Sequence, residues 1–147
     1  MGWTDSHLHE FQLPKGGALF LPKYALDELE DGKAEDENSV VFHEVCARVK
    51  DRLMYTYDFG DFWEHDIVVE KIVKLKEGER VPVCLNGKNS CPPEDCGGPP
   101  GYENFVEIIS DPEHEEFEET VEWVGGNFDP EEFDLSEVNR GVFAVFG

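Results

Sequence analysis

His7 and His9 stand two residues apart. On a β-strand that spacing projects both imidazoles to one side, as two ligands of one metal ion would need. The plainer alternative, and the stronger one for these two residues alone, is a pair of surface or helix-end histidines with ordinary hydrogen bonds. Cys84, Cys91 and Cys96 follow one another within a Pro/Gly-rich stretch. Thiolates bind zinc well and an irregular loop can wrap an ion, so the candidate metal ligands are His7, His9, His65, Cys84, Cys91 and Cys96, with zinc as the metal. The cysteine spacing lacks the close pairs of a strong zinc signature, and small cysteines packed under a loop are the competing reading. Asp58, Asp61, His65, Glu94 and Asp95 offer acid, base or hard-metal ligands. Asp58 can steady the His65 imidazole from across a hairpin. Alternatively, Asp58 and Asp61 fix a turn while Glu94 and Asp95 order the Pro-rich loop by accepting from backbone amides.

These groups need elements to hold them. Residues 52–59 (RLMYTYDF) and 62–75 (FWEHDIVVEKIVKL) are rich in β-forming side chains, with only Gly60 and Asp61 between them. Glycine at the first loop position predicts a hairpin with a type II′ turn. That register sets Asp58 opposite Trp63 and Thr56 opposite His65, and it places Met54, Ile67 and Val69 on the same face, with Trp63 in the core. Residues 8–13 predict a strand that ends in a turn at Pro14, Gly16 and Gly17. The acidic stretch 27–38 predicts an exposed loop. Ser39 is positioned to cap a short helix carrying Val41, Val45 and Val49, with Glu44 too far along for a capping box. Residues 81–84 suggest a brief strand, and residues 86–100 hold too much Pro and Gly to join a regular element. Apolar stripes predict helices over 102–109 (Phe105, Ile108, Ile109) and 115–124 (Phe117, Val121, Val124), the second ended by Gly125 and Gly126. Residues 134–138 add a helical turn before an apolar tail at Phe143, Val145 and Phe146.

The chain has 147 residues and a formal net charge of -22, a balance that would suggest disorder but for its eleven Phe, four Tyr and three Trp. A single α+β domain over residues 1–147 is expected, built on an antiparallel sheet with a central hairpin, helices packed on it and the Pro/Gly-rich loop at one end. No leader or membrane-length apolar run is visible, and the four cysteines suit reduced thiols or metal ligands, so the expected location is cytoplasmic. From Asn89 through Asn139 there is no Lys or Arg. Nucleic-acid affinity comes mainly from cationic groups that displace counterions, so no nucleic acid is expected as a partner. An acidic face suits a basic protein partner, although solubility is its simpler role.

Three segments carry a resemblance: GWTDSHLHEF at 2–11, YTYDFGDFWEHDIVVE at 55–70 and CPPEDCGGPPGYENF at 91–105. Together they resemble the plasmid open-reading-frame-three-like family, first named from a root-inducing plasmid, some members of which carry a resolvase-like label as passengers of insertion elements. The family-motif candidates are Tyr57, Asp58, Asp61, Trp63, His65, Glu94 and Asp95. The resemblance implies no established biochemical activity. A recombinase role is not carried over, because serine recombinases need a nucleophilic Ser and basic residues that grip DNA. In relatives the first segment follows a strand and a helix. Here that N-terminal strand and helix are expected to be missing, which would leave a sheet edge exposed and favour a homo-oligomer.

The expected function is a binding or accessory role, with an association with mobile elements implied by the family. The alternative is a metal-dependent hydrolase using His, Asp and Cys ligands. Any site is expected where the hairpin face carrying His65 meets the Cys84–Gly98 loop, with His7 and His9 joining from the first strand.

Overall fold

The computed structural model describes residues 2–27 and 33–146. The fold class is α+β, with a five-stranded, mostly antiparallel sheet of order β3-β2-β1-β4-β5. The chain divides into two compact units. A sheet unit spans Asp5–Lys74, and a helical unit runs from Leu75 onward together with the N-terminal residues through Thr4.

In the sheet unit, β1 (His9–Gln12) pairs antiparallel with both β2 (Leu19–Leu21) and β4 (Arg52–Tyr57), and β4 pairs antiparallel with β5 (Trp63–Val68). One pairing departs from the all-antiparallel expectation: β3 (Ala34–Asp36) lies parallel to β2. Residues 34–38, expected to be loop, thus lie in a strand and a 3-10 turn, while residues 28–32 of that loop lie outside the described residues. Short helices follow at α1 (Lys23–Leu26) and α2 (Phe42–Val45). Ser39 does not cap α2; the Glu44 carboxylate does, accepting the Val41 N–H at 3.1 Å. A carboxylate three residues into a helix can reach back to the first unpaired amide. The sheet unit buries Phe20, Leu21, Ala25, Cys46, Leu53, Thr56 and Tyr57.

The central hairpin forms as expected, but its register is one residue away from the expected one. Tyr57 pairs with Trp63, Thr56 with Glu64 and Tyr55 with His65. The turn is longer than two residues. Asp58 and Phe62 both take φ 58°, the Phe62 N–H donates to Asp58 O at 2.6 Å, and the Asp58 carboxylate accepts the Gly60 N–H at 2.8 Å. Because side chains alternate every residue, a one-residue change of register exchanges the two faces. Leu53, Tyr55 and Tyr57 therefore share a face with Ile67, His65 and Trp63, and Thr56 lies on the other. Trp63, His65 and Ile67 alternate as half-buried with exposed Glu64, Asp66 and Val68. The paired strand stops at Val68, short of the long run expected, and Ile72 and Val73 beyond it are exposed.

In the helical unit, α3 (Gly98–Ser110) starts earlier than expected, inside the Pro-rich stretch. Pro99 and Pro100 stand in its first turn, where a missing N–H removes no helical hydrogen bond. Gly97, at φ 90°, turns the chain into it. Gly101 allows a close approach: a Cβ there would collide with the Cys96 carbonyl oxygen. α4 (Phe117–Trp123) ends as expected, with the Gly126 N–H donating to Val121 O at 2.9 Å. α5 (Leu135–Phe146) continues well beyond the single turn expected and absorbs the apolar tail. The Asp134 carboxylate accepts the N–H groups of Glu137 and Ser136, and these two bonds hold its pKa below the ordinary value. Residues 81–84 form no strand; the main chain of Cys84 is bonded on both sides by the Asn139 amide, at 2.8 and 2.9 Å. The core of this unit is aromatic: buried Phe105 meets Tyr102, Trp123 and Phe128 at centroid distances of 5.2–6.1 Å.

Candidate functional site

The motif residues of the sheet unit converge on the hairpin turn. Tyr57 is 1% exposed, and its hydroxyl oxygen accepts the Ser6 N–H at 3.2 Å. Asp58 is buried; its N–H donates to Leu8 O at 2.8 Å, and Oδ2 lies 3.7 Å from Nδ1 of His7. The turn and the lead-in to β1 therefore hold each other. His65 sits opposite Tyr55, with Nδ1 3.2 Å from the Tyr55 carbonyl, a geometry in which the ring N–H donates. Asp58, expected to steady His65, lies beyond the paired strands and has His7 beside its carboxylate. Asp61 is half-buried in the turn and Trp63 half-buried on β5, not in the core as expected.

His9 has a different neighbour from His7, so the two-residue spacing does not give a matched pair. Nε2 of His9 is 3.0 Å from Oε2 of Glu37, and its buried Nδ1 lies 3.4 Å from Asp5 Oδ1 without meeting hydrogen-bond geometry. Tyr55 packs against both His9 and His65, at centroid distances of 5.7 and 5.4 Å. Burial, reinforced by the negative charges of Asp5 and Glu37, pushes the Tyr55 phenol up to about 12.

In the helical unit the motif loop is fastened to the N-terminal segment. The Trp3 indole N–H donates to Pro92 O at 2.9 Å, and Glu94 Oε1 accepts from both the amide and the hydroxyl of Thr4. Gly2 lies against Cys91, and burial pushes the Cys91 thiol up in pKa against the opposing pull of the Gly2 and Trp3 amides. Cys84 donates from Sγ to Asn86 O at 3.3 Å. None of the four cysteines is disulfide-bonded. Among the described residues, Cys84, Cys91 and Cys96 do not gather as a trio with ligand atoms within 4.8 Å of one another.

One family-motif candidate and one candidate metal ligand instead border a cavity. Asp95 and Cys96, with Gly101, Asn104, Phe105, Ile108, Thr120 and Trp123, line about 190 Å³ at the α3–α4 junction. Gly101, Asn104, Phe105 and Ile108 recur at three- and four-residue spacing, which puts them on one side of α3. That periodicity was legible in the sequence for Phe105 and Ile108; it also reaches Asn104, which an apolar pattern overlooks. Thr120 and Trp123 bear the same relation on α4. Glu37 was missed because it lies 28 residues from His9 in an acidic stretch whose fold the sequence left open.

A family model described as plasmid pRiA4b ORF-3-like protein matches residues 1–137. The uncharacterized protein y4hQ of Sinorhizobium fredii (strain NBRC 101917 / NGR234) is 38% identical over 143 residues, which cover 97% of this chain and 71% of that protein. The crystal structure of MM3350, a protein of unknown function from Methanosarcina mazei Go1, matches with a TM-score of 0.77 at 40% identity, over 93% of this chain and 75% of that one. Among the described residues no helix is long and apolar enough to cross a membrane.

Proposed function

The chain belongs to the plasmid pRiA4b ORF-3-like protein family, and from that premise we propose that it is a binding or accessory protein whose ligand site is the cavity at the α3–α4 junction. The observation that carries this reading is the position of Asp95 and Cys96 in the cavity wall, beside Asn104, Thr120 and the aromatic faces of Phe105 and Trp123. Aromatic side chains with a few placed polar groups offer a small molecule both stacking and hydrogen-bonding contacts. Carboxylate, amide and hydroxyl beside aromatic rings suit a small planar nitrogen base.

The test is a titration of the whole protein with adenine, cytosine and imidazole, followed by Trp fluorescence and amide NMR shifts. Saturable shifts on α3 and α4 that weaken about tenfold in Asn104→Leu support the reading. No saturable change with any of the three overturns it. The accessory role extends to mobile elements through the family, in a cytosolic setting that keeps the thiols reduced. A basic protein partner matches the cation-free stretch 89–139, whereas duplex DNA does not. Self-association would use exposed Val81, Val83 and Leu85, and light scattering across concentration tests it.

A metal-dependent hydrolase is the second reading, favoured by the approach of His7 Nδ1 to Asp58 Oδ2. In it His7 and Asp58 supply the first two donors in the sheet unit, with zinc as the metal. Elemental analysis of the purified protein separates the readings. One bound zinc per chain, lost in His7→Ala, would replace the first with the second.

A further inference from the structure

The sheet unit contains a second cavity, of about 150 Å³, lined by none of the seven family-motif candidates. Its wall is almost wholly apolar: Phe11 of β1, Phe20 of β2, Leu53 of β4, and Phe42 and Val45 of α2. One ionisable side chain interrupts that wall, Glu37. Its Oε2 accepts from His9 Nε2 at 3.0 Å, and its side chain is 23% exposed. A carboxylate has about four acceptor positions, so one bond from His9 leaves capacity for a second donor. An apolar hollow of about 150 Å³ is large enough to take up a benzene-sized molecule.

A carboxylate on an otherwise apolar wall calls for a ligand that is apolar over most of its surface and cationic at one end. Phe rings favour the same ligand, because a cation near an aromatic face is attracted by its quadrupole. We propose that this cavity binds a small organic ammonium ion, its single aromatic or branched aliphatic group among Phe11, Phe20 and Phe42 and its N–H donating to Glu37. The two components are separable: the apolar wall supplies size selection, and Glu37 supplies the preference for charge. The cavity lies wholly within the sheet unit, so the proposal stands independently of the planar-base site.

Benzylamine is the probe and benzyl alcohol its uncharged counterpart of similar shape. Both are titrated into the full chain at neutral pH and followed by NMR shifts of the Phe11, Phe20 and Phe42 ring protons. Saturable binding of benzylamine, at least tenfold tighter than benzyl alcohol, is expected. Glu37→Gln should weaken benzylamine about tenfold and leave benzyl alcohol unchanged, and Val45→Phe should abolish both by filling the hollow. Absence of saturable benzylamine binding to the unmodified protein overturns the proposal, as does equal affinity for the two probes. If Glu37→Gln fails to fold, the comparison of the two probes on the unmodified protein still decides the matter.

Discussion

The sheet unit and the helical unit position their side chains by different means. In the sheet unit, ladder pairing sets the geometry: β1 and β4 are each flanked by strands on both sides, and Tyr57, Tyr55 and Leu53 are aimed by that register. In the helical unit, irregular chain is held by single side-chain clamps. Asn139 bonds both sides of Cys84, Glu94 holds Thr4, and the Ser90 hydroxyl donates to Asp129 O at 2.6 Å, with Glu132 O at 3.0 Å. A ladder distributes its stability over many equivalent bonds, so its weak points are packing sites. Clamped loops concentrate theirs in a few contacts, so their weak points are particular backbone positions and bonds.

The largest effect should come from the packing site. Tyr57→Ala removes an almost fully enclosed ring and should cost about 3–5 kcal/mol in denaturant unfolding. Tyr57→Phe keeps the ring, loses the acceptor for Ser6 and should cost about 1 kcal/mol. A Tyr57→Ala cost no larger than that of Tyr57→Phe would show that the ladder, not the ring, holds the sheet unit. In the helical unit, Gly101→Val forces a side chain into the Cys96 carbonyl and should cost about 3 kcal/mol. A neutral Gly101→Val would mean that the entry to α3 can shift freely. Glu94→Ala, which cuts one clamp at a partly exposed site, should cost about 1 kcal/mol and accelerate amide exchange at Thr4. Unchanged exchange would remove Glu94 from the set of clamps.

The smallest expected effects are in titration and reactivity. Tyr55 keeps its proton in the folded state up to about 12, above its ordinary value of 10.0. Between those values the unfolded chain has lost a proton that the folded chain retains, so stability present below pH 10 falls as pH rises toward 12. Tyr55→Phe should lack that component, and its spectrophotometric titration should show one late phenolate fewer than the parent protein. In the helical unit, Cys91 should alkylate more slowly than an ordinary thiol at neutral pH, as read by mass spectrometry, because burial raises its pKa. Fast alkylation of Cys91 would indicate that the contact with Gly2 opens readily.

The hairpin was legible because two β-rich runs are separated by turn-forming residues, and α4 because its apolar stripe ends in two glycines. Those signals arise from neighbours in the chain. The register was not legible, because it depends on a five-residue turn closed by the Asp58 carboxylate, and sequence alone admits the shorter turn equally well. Pro99 and Pro100 suggested a break but stand at a helix start, where their chemistry is tolerated. Residues 81–84 have the alternation of a strand, yet their main chain is engaged by a side chain 55 positions away.

The candidate sites divide along the same line. Residue type and spacing determined that Phe105 and Ile108 would face inward, that Gly60 and Asp61 would lie in a turn, and that the acidic stretch 89–139 would carry no Lys or Arg. Only the tertiary structure decided that His7 approaches Asp58 while His9 takes Glu37, that Asp95 and Cys96 border a cavity, and that Trp3 reaches Pro92 from 89 residues away. The reason is physical. Local propensity is set by steric and hydrogen-bonding preferences over a few residues, whereas these pairings follow from where long loops close. Closure costs grow only slowly with loop length, so sequence separation does little to choose among partners.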